Sequence, residues 1–505
     1  MGKFLEAASI IFRKYGRPMS AREVTDKAVD LRILEFSNGR TPWQTMKAKL
    51  SVNIRTLGRK SPFMRTAKGR FFLRDAASAE YSSPPWQKTI SPREDVLVLP
   101  TSELRKLGSF QFISKKVAPY AETLHDPQKV QFVARTQAET DPRYKQIISY
   151  VLVQQHDALL RFVRGSYSNV RTHLLGRYCV GFGGHVQSRD MADAPLFSMI
   201  DNGYTNSVHR ELNEELRLPS GSITPNNLRL IGVLNDDSSD LGQVHFAFIH
   251  LLNLDHLSTR LEARDLKREK SVNQLEFIPI QDLGKDFERY EYWSKLCIRE
   301  FFRTRIKIAA KVHRVHNYRI RNHKAAIAIV GNIGSGKTEA CRLLKSRFRY
   351  DLISSGRVIQ NILGLRSLAE LGREKFQNLA LEFIRRSDGP DLLVNEIHAR
   401  LMGSPMGLSV IDGIRNLRTF DILKGRLGER LTLIYVDSTI DNSYRMFRAR
   451  EGRSLSVEDF YRLLGNPVEA EIPELMRVCN VVFYNHGSRE SYLKTIAAYF
   501  AEELS

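Results

Sequence analysis

The stretch Ala325-Ala-Ile-Ala-Ile-Val330-Gly331-Asn332-Ile333-Gly334-Ser335-Gly336-Lys337-Thr338, followed by Glu-Ala-Cys-Arg-Leu-Leu344, decides how the last third of this 505-residue chain folds. Its uninterrupted apolar opening predicts a buried strand, and the apolar residues after Thr338 recur at helical spacing. Between them the glycines fit G-x-x-x-x-G-K-[ST], which in a strand–loop–helix context wraps backbone N–H groups around phosphates. Gly331, Gly334, Ser335, Gly336, Lys337 and Thr338 are therefore candidate ATP-binding residues. Lys337 would reach the β and γ oxygens, and Thr338 would support Mg2+.

Around this loop the chain is long enough for about three cores. Hydrophobic residues make up 42% and charged residues 26%, which excludes disordered and collagenous classes. Apolar runs are short, so neither a secretory leader nor a membrane span is expected. Four scattered cysteines, Cys179, Cys297, Cys341 and Cys479, fit a reducing cytoplasm rather than a zinc site or a disulfide framework. The net charge of +21 favours phosphate-bearing partners, nucleotides or nucleic acid. Residues 1–75 carry 17 Lys and Arg against 6 Asp and Glu, and residues 302–324 add eight basic residues without an acid. Charge alone is equally compatible with solvated basic surfaces.

Downstream of the glycine loop, Ser355-Gly356-Arg357 follows a second apolar run and Gly372-Arg373 opens a helix. Asp412 closes a third strand before Gly413-Ile-Arg415, and Arg445-Met-Phe-Arg448-Ala-Arg450-Glu-Gly-Arg453 is dense in arginine. Such a segment suits a lid that neutralises phosphate charge and excludes water, or an ordinary basic helix face. The pattern over residues 324–505 resembles the nucleoside monophosphate kinases, nearest to the deoxynucleotide monophosphate kinase and dephospho-coenzyme A kinase branches. The resemblance implies that Arg357, Arg373 and Arg415 bind the acceptor monophosphate. It further implies that Asp412 organises Mg2+ or the acceptor, and that Arg445, Arg448, Arg450 and Arg453 form the lid.

In the middle of the chain, Glu211, Glu214 and Glu215 stand at i, i+3 and i+4 and share one helical face. Three like charges there are most simply balanced by a divalent cation, Mg2+ or Mn2+, although a solvated acidic face is the plain alternative. Arg210-Glu211-Leu212-x-Glu214-Glu215, preceded by Gly183-Gly184-His185, resembles the Nudix box. Leu230–Leu252 and Glu276-Phe-Ile-Pro279 extend the likeness to about residues 95–300. It implies that the three glutamates bind metal, that Glu214 and Glu215 serve phosphoanhydride hydrolysis, and that Arg210 orients the helix through a carboxylate; Glu276 is a weaker candidate. Asn202 occupies the place of the box's first Glu, about a dozen residues are inserted within Val186–Ile200, and Arg217 replaces a Gly.

At the N-terminus, apolar spacing predicts a helix from Phe4 to Tyr15, Ser20 and Glu23 form a capping box for a second, and Thr41-Pro42 starts a third. Trp43, Met46, Leu50 and Ile54 share a face, leaving Lys47, Lys49 and Arg55 to approach phosphates. Lys68 and Arg70 lie in a basic hairpin. Residues 1–75, through GRPMSAREVTDKA, GRTPWQTMKAKLSVNIR and SPFMRTAKGRFFLR, resemble the HARE-HTH domain, which implies a winged helix and a role in DNA association. A winged helix used only for protein contacts is the competing reading.

The expected architecture is multidomain α/β. It comprises a winged helix-turn-helix (1–75), a linker (76–94), a Nudix α/β/α sandwich (95–301), a basic linker (302–324) and a P-loop kinase with a parallel sheet (325–505). The expected function is cytoplasmic, DNA-associated nucleotide processing with ATP and Mg2+, in DNA modification, pool sanitation or phage defence. Domain company alone carries that biological link. The alternatives are a DNA-bound transcriptional or defence regulator that senses nucleotides, and an inactive scaffold.

Overall fold

Helical apolar spacing becomes α1 (Lys3–Tyr15), β1 (Met19–Ser20), α2 (Ala21–Asp30) and α3 (Pro42–Leu57), followed by β2 (Phe63–Ala67) and β3 (Arg70–Leu73). The computed structural model of the chain describes residues 3–31, 33–34, 42–58, 61–67, 70–75, 94–165, 176–192, 201–257, 259–266, 272–320, 326–365, 371–405, 407–451 and 455–504. The strand order β1-β3-β2 is antiparallel, and Met46 and Leu50 sink into a core with Ile11, Phe12, Phe63 and Phe71. This is the winged helix that the sequence predicts. The capping box is present: Ser20 Oγ accepts from the Glu23 amide at 3.2 Å and Glu23 accepts from the Ser20 amide at 2.8 Å. Ser20→Ala should lower the opening free energy of the α2 amides in native-state hydrogen exchange by about 1 kcal/mol.

The chain separates into two compact units, Met1–Arg93 and Glu94–Ser505. In the second unit, β4 (Asp95–Pro100), β5 (Phe112–Ser114), β6 (Gln131–Ala134), β7 (Tyr144–Gln155), β8 (Ala158–Arg164), β9 (Tyr178–Cys179) and β10 (Gly181–Phe182) come first. Then follow α4 (Tyr204–Glu215), β11 (Leu228–Asn235), β12 (His245–Asn253), β13 (Val272–Pro279) and α5 (Tyr292–Phe301). The central order is β13-β8-β7-β12-β11-β5, with β7 and β12 parallel. Alternating residues of β7 face opposite cores. Ile147 and Val151 pack with Val208 and Leu212 of α4, whereas Ile148 and Leu152 pack with Leu296 and Ile298 of α5. The result is an α/β/α sandwich.

The remainder begins with β14 (Lys311–Arg314), β15 (Ala326–Val330), α6 (Lys337–Phe348), β16 (Asp351–Ser354), α7 (Ser355–Ile362), α8 (Arg373–Arg385) and α9 (Gly389–Met402). It continues with β17 (Ser409–Asp412), α10 (Leu417–Leu427), β18 (Leu431–Asp437), α11 (Ile440–Glu451), α12 (Val457–Leu464), β19 (Val481–Tyr484) and α13 (Arg489–Leu504). The order β14-β19-β18-β15-β17-β16 is parallel except for β14, which runs antiparallel to β19. Cores on both faces explain why β15 reads as an unbroken apolar run.

Two expectations about organisation are corrected. Residues 302–324 are not merely a linker, because Lys311–Arg314 forms an edge strand on β19 and Val312 packs against a core of the kinase-like part. The sandwich and the parallel-sheet part also form one unit. Phe112 of β5 lies 6.3 Å from Tyr444 of α11, ring centre to ring centre, and Arg299 of α5 pairs with Asp441 of α11.

Candidate active sites

β15 lies between β17 and β18, so the glycine loop at its C-terminal end is flanked by the ends of two neighbours. Gly331, Gly334 and Gly336 adopt φ of 150°, 76° and 102°. At Gly334 a Cβ would stand 2.2 Å from the Ser443 carbonyl oxygen, so the loop can close only with glycine there. Asn485, beyond β19, holds the loop by donating to the Ser335 carbonyl at 2.7 Å. The Ser335 hydroxyl is buried with no hydrogen-bond partner, an orphaned donor in a loop that the sequence assigns to phosphate.

Lys337 is buried and donates to the Asn332 carbonyl at 3.2 Å. Burial, reinforced by the nearby positive charges of Arg415, Arg373 and Arg450, pushes its ammonium down to about 7. An anion with several negative oxygens would relieve that repulsion. Thr338 donates to Asp412 at 2.9 Å, placing a hydroxyl and a carboxylate together at the loop. These hard oxygen donors fit Mg2+, which usually takes only one or two protein ligands beside substrate phosphates.

A cavity of about 1720 Å³ opens at this loop. One lobe is lined by Arg373, Arg385, Arg415 and Arg418 with apolar Phe376 and Ile414, the other by Asn442, Arg445, His486 and Gly487. Most of the arginines are held by carboxylates. Arg373 and Arg450 share Glu451, Arg415 pairs with buried Glu469, and Arg445 reaches Asp441 at 3.1 Å. Burial together with Arg373 pushes Arg415 down to about 10.

Of the expected acceptor and lid residues, Arg373, Arg415, Arg445 and Arg450 line the cavity. Arg357 does not: Gly356 lines it while Arg357 is exposed. Arg448 also lies outside the lining, 6.0 Å from the Tyr444 ring centre. Arg453 lies outside the described residues. Residues that sequence reading missed include Glu469, which holds Arg415, and Asn485, whose only signal was its place at a strand end.

In the sandwich, α4 brings two of its glutamates against a tight glycine turn. Glu215 accepts from the Gly183 amide at 2.9 Å, and a Cβ on Gly184 would stand 2.6 Å from Glu211 Oε1. Burial raises both carboxyls, and Glu215, with Glu211 and Glu214 close by, reaches about 8. Glu214 is turned toward Arg210 and Arg189, at 3.3 and 3.4 Å. Among the described residues, no three His, Cys, Asp or Glu side chains converge closely enough to hold an ion as they stand. Glu211 and Glu215 fit a hard divalent cation by chemistry and desolvation; Glu214 would have to leave its arginines to join them.

Arg210 does orient α4 through a carboxylate, but not one at position 202. Its Nε and Nη2 donate to Asp190 at 2.6 and 3.0 Å, and Nη2 also reaches the His185 carbonyl at 3.0 Å. Asn202, at φ 52°, instead donates to the Leu124 carbonyl at 2.7 Å. The inserted residues separate Asp190 from α4 in sequence while folding returns it to the arginine. Glu276 pairs with Arg161 at 2.9 Å on β8 and β13.

In the winged helix, Lys47 and Lys49 are exposed on α3. Arg70 donates to the Pro18 carbonyl at 3.1 Å and lies 3.6 Å from Glu23. Lys68 and the Arg55 side chain lie outside the described residues.

Residues 2–76 match the HARE-HTH family model, whose description names the ASXL and restriction endonuclease HTH domain. Protein YmaB of Bacillus subtilis (strain 168) is 27% identical over 210 residues, 41% of this chain and 96% of the relative. UPF0200 protein Mbar_A0975 of Methanosarcina barkeri (strain Fusaro / DSM 804) is 25% identical over 174 residues, 34% of this chain and 91% of the relative. Among solved structures, Tm1382, whose description places it with the Nudix hydrolases, aligns at a TM-score of 0.32 and 24% identity. That alignment covers 42% of this chain and 99% of Tm1382. Shikimate kinase from Acinetobacter baumannii aligns at 0.26 and 16% identity, covering 36% of this chain and 93% of that one.

Proposed function

We propose that the parallel-sheet part transfers the γ-phosphate of ATP to a monophosphate acceptor, a nucleoside monophosphate or a close analogue. The observation that carries this reading is the desolvated Lys337 beside Thr338 and Asp412, opening onto an arginine-lined lobe. In the transfer an acceptor phosphate oxygen forms a bond to the γ-phosphorus, the β–γ bridging P–O bond breaks, and its electrons remain on ADP. Arg373 and Arg415 would place the acceptor, and Arg450 would join Lys337 in balancing charge on the moving group. Mg2+ at Thr338 and Asp412 would supply charge neutralisation across the β and γ phosphates.

Mass-spectrometric product analysis of the protein incubated with Mg2+, ATP and a panel of nucleoside mono-, di- and triphosphates tests this. A diphosphate formed from one monophosphate, and absent with Lys337→Ala, is the expected result. ATP binding without any phosphorylated product would sink the transferase reading and leave nucleotide sensing.

The sandwich would hydrolyse a phosphoanhydride with metal held by Glu211 and Glu215 and joined by Glu214. Together the two sites would cleave some nucleotides and phosphorylate others. The winged helix would associate the chain with DNA. Replacing Lys47, Lys49 and Arg55 by Ala should reduce the slope of log affinity against log salt by up to about three units. An unchanged slope would place the phosphate contacts elsewhere.

A second reading, a DNA-bound regulator that responds to nucleotides, draws support from the carboxylate-held arginines. Arg373, Arg415, Arg445 and Arg450 all have acidic partners that a bound phosphate would have to displace or share.

A further inference from the structure

The lobe of the cavity away from Arg373 and Arg415 is not built from the kinase-like part alone. Arg299 and Arg303, with Ile306, Lys307 and Ile308, line it together with Asn442, Arg445, His486 and Gly487. Arg299 belongs to α5 of the sandwich, and the others to the segment that leaves it. Two features fix this wall. Buried Arg299 pairs with Asp441, donates to Thr439 at 2.9 Å and donates to the His486 carbonyl at 3.1 Å. It thereby ties the start of α11 to the loop after β19. Tyr292, also on α5, accepts from the Asp441 amide at 3.2 Å. The exit segment is wedged backbone against backbone: a Cβ on Gly284 would stand 2.3 Å from the Lys307 carbonyl oxygen, and one on Gly487 would stand 2.3 Å from that of Ile308.

The charge pattern assigns the ends of the cavity. Arg373, Arg415 and Arg450 surround the Lys337 ammonium, so the transferring phosphate and its acceptor belong on that side. The nucleoside of the donor must then extend the other way, toward His486 and Asn442. There it meets Ile306, which is half-buried and also packs against the sandwich core.

We infer that the base and ribose of the bound nucleoside triphosphate sit in a seam between the two parts of Glu94–Ser505. Ile306, flanked by Arg303 and Lys307, forms the wall that the sandwich contributes, and Arg299 positions the opposite one. This rests on the reading of Gly331–Thr338 as the triphosphate cradle. The seam makes the sandwich a structural component of the donor site, so contacts to the nucleoside, not to the phosphates, depend on it.

Equilibrium binding of ATP and of inorganic tripolyphosphate to the full chain separates the two ideas. Ile306→Trp, which fills the wall, should weaken ATP about tenfold and leave tripolyphosphate within about twofold. Ile306→Ala should weaken ATP by about threefold in the same selective way. Lys337→Ala should weaken both ligands. If both Ile306 variants bind ATP as the parent does, or lose both ligands equally, the seam is refuted while the cradle stands. If the parent chain binds neither ligand, the cradle reading fails and the seam falls with it.

Discussion

Lys337→Ala is expected to lower ATP-dependent phosphoryl transfer by about two to three orders of magnitude, the order found when a preorganised group facing developing charge is removed. The reason lies in its setting. Lys337 is desolvated among Arg415, Arg373 and Arg450, and its ammonium is pushed down to about 7. At pH 8 the empty site therefore holds it largely neutral, whereas a bound triphosphate restores the charge. Nucleotide binding should then take up about one proton at pH 8 and almost none at pH 6, where the lysine is already protonated. Affinity should rise as pH falls toward about 7. Calorimetry of ATP binding in buffers of different ionisation enthalpy checks this. Proton uptake that persists in Lys337→Ala would assign the titration to another group.

Replacing Glu214 and Glu215 together by Gln should reduce metal-dependent phosphoanhydride hydrolysis by at least about a hundredfold while leaving ATP binding at the glycine loop unchanged. Glu215 is buried against the Gly183 amide, with Glu211 raised beside it. Glutamine retains the size and an acceptor oxygen for Gly183 but removes the charge that would hold a cation, so the test separates electrostatics from packing. Following release of nucleoside monophosphate from a panel of phosphoanhydrides with Mg2+ or Mn2+ gives the readout. Equal cleavage by parent and variant would remove α4 from the chemistry.

The two sites would remain separable despite sharing one unit. Glu214 and Glu215 lie on α4, which packs on the face of the sandwich opposite α5, and α5 is the helix that carries Tyr292 and Arg299. Loss of charge on α4 therefore leaves the links between α5 and α11 intact.

Local elements, and the residues that announce their own geometry, were legible along the chain. The unbroken apolar run of β15, the glycines needed at positive φ in the loop, the Ser20–Glu23 capping box and the shared face of Met46 and Leu50 all act within a few residues. Spacing along the chain encodes such features directly. The grouping of Lys337, Thr338 and Asp412 could be anticipated because strand ends in an open parallel sheet converge on one edge. The long-range pairings came from packing instead. Asp190 replaces the carboxylate sought at position 202, Lys311–Arg314 pairs with β19 at the far end of the chain, Glu469 holds Arg415, and Arg299 reaches across to Asp441. None of these partners lies within one turn or one hairpin of the residue it serves. Which charge meets which is set by how packed layers bring distant segments together, and burial then requires each such charge to find its counterpart.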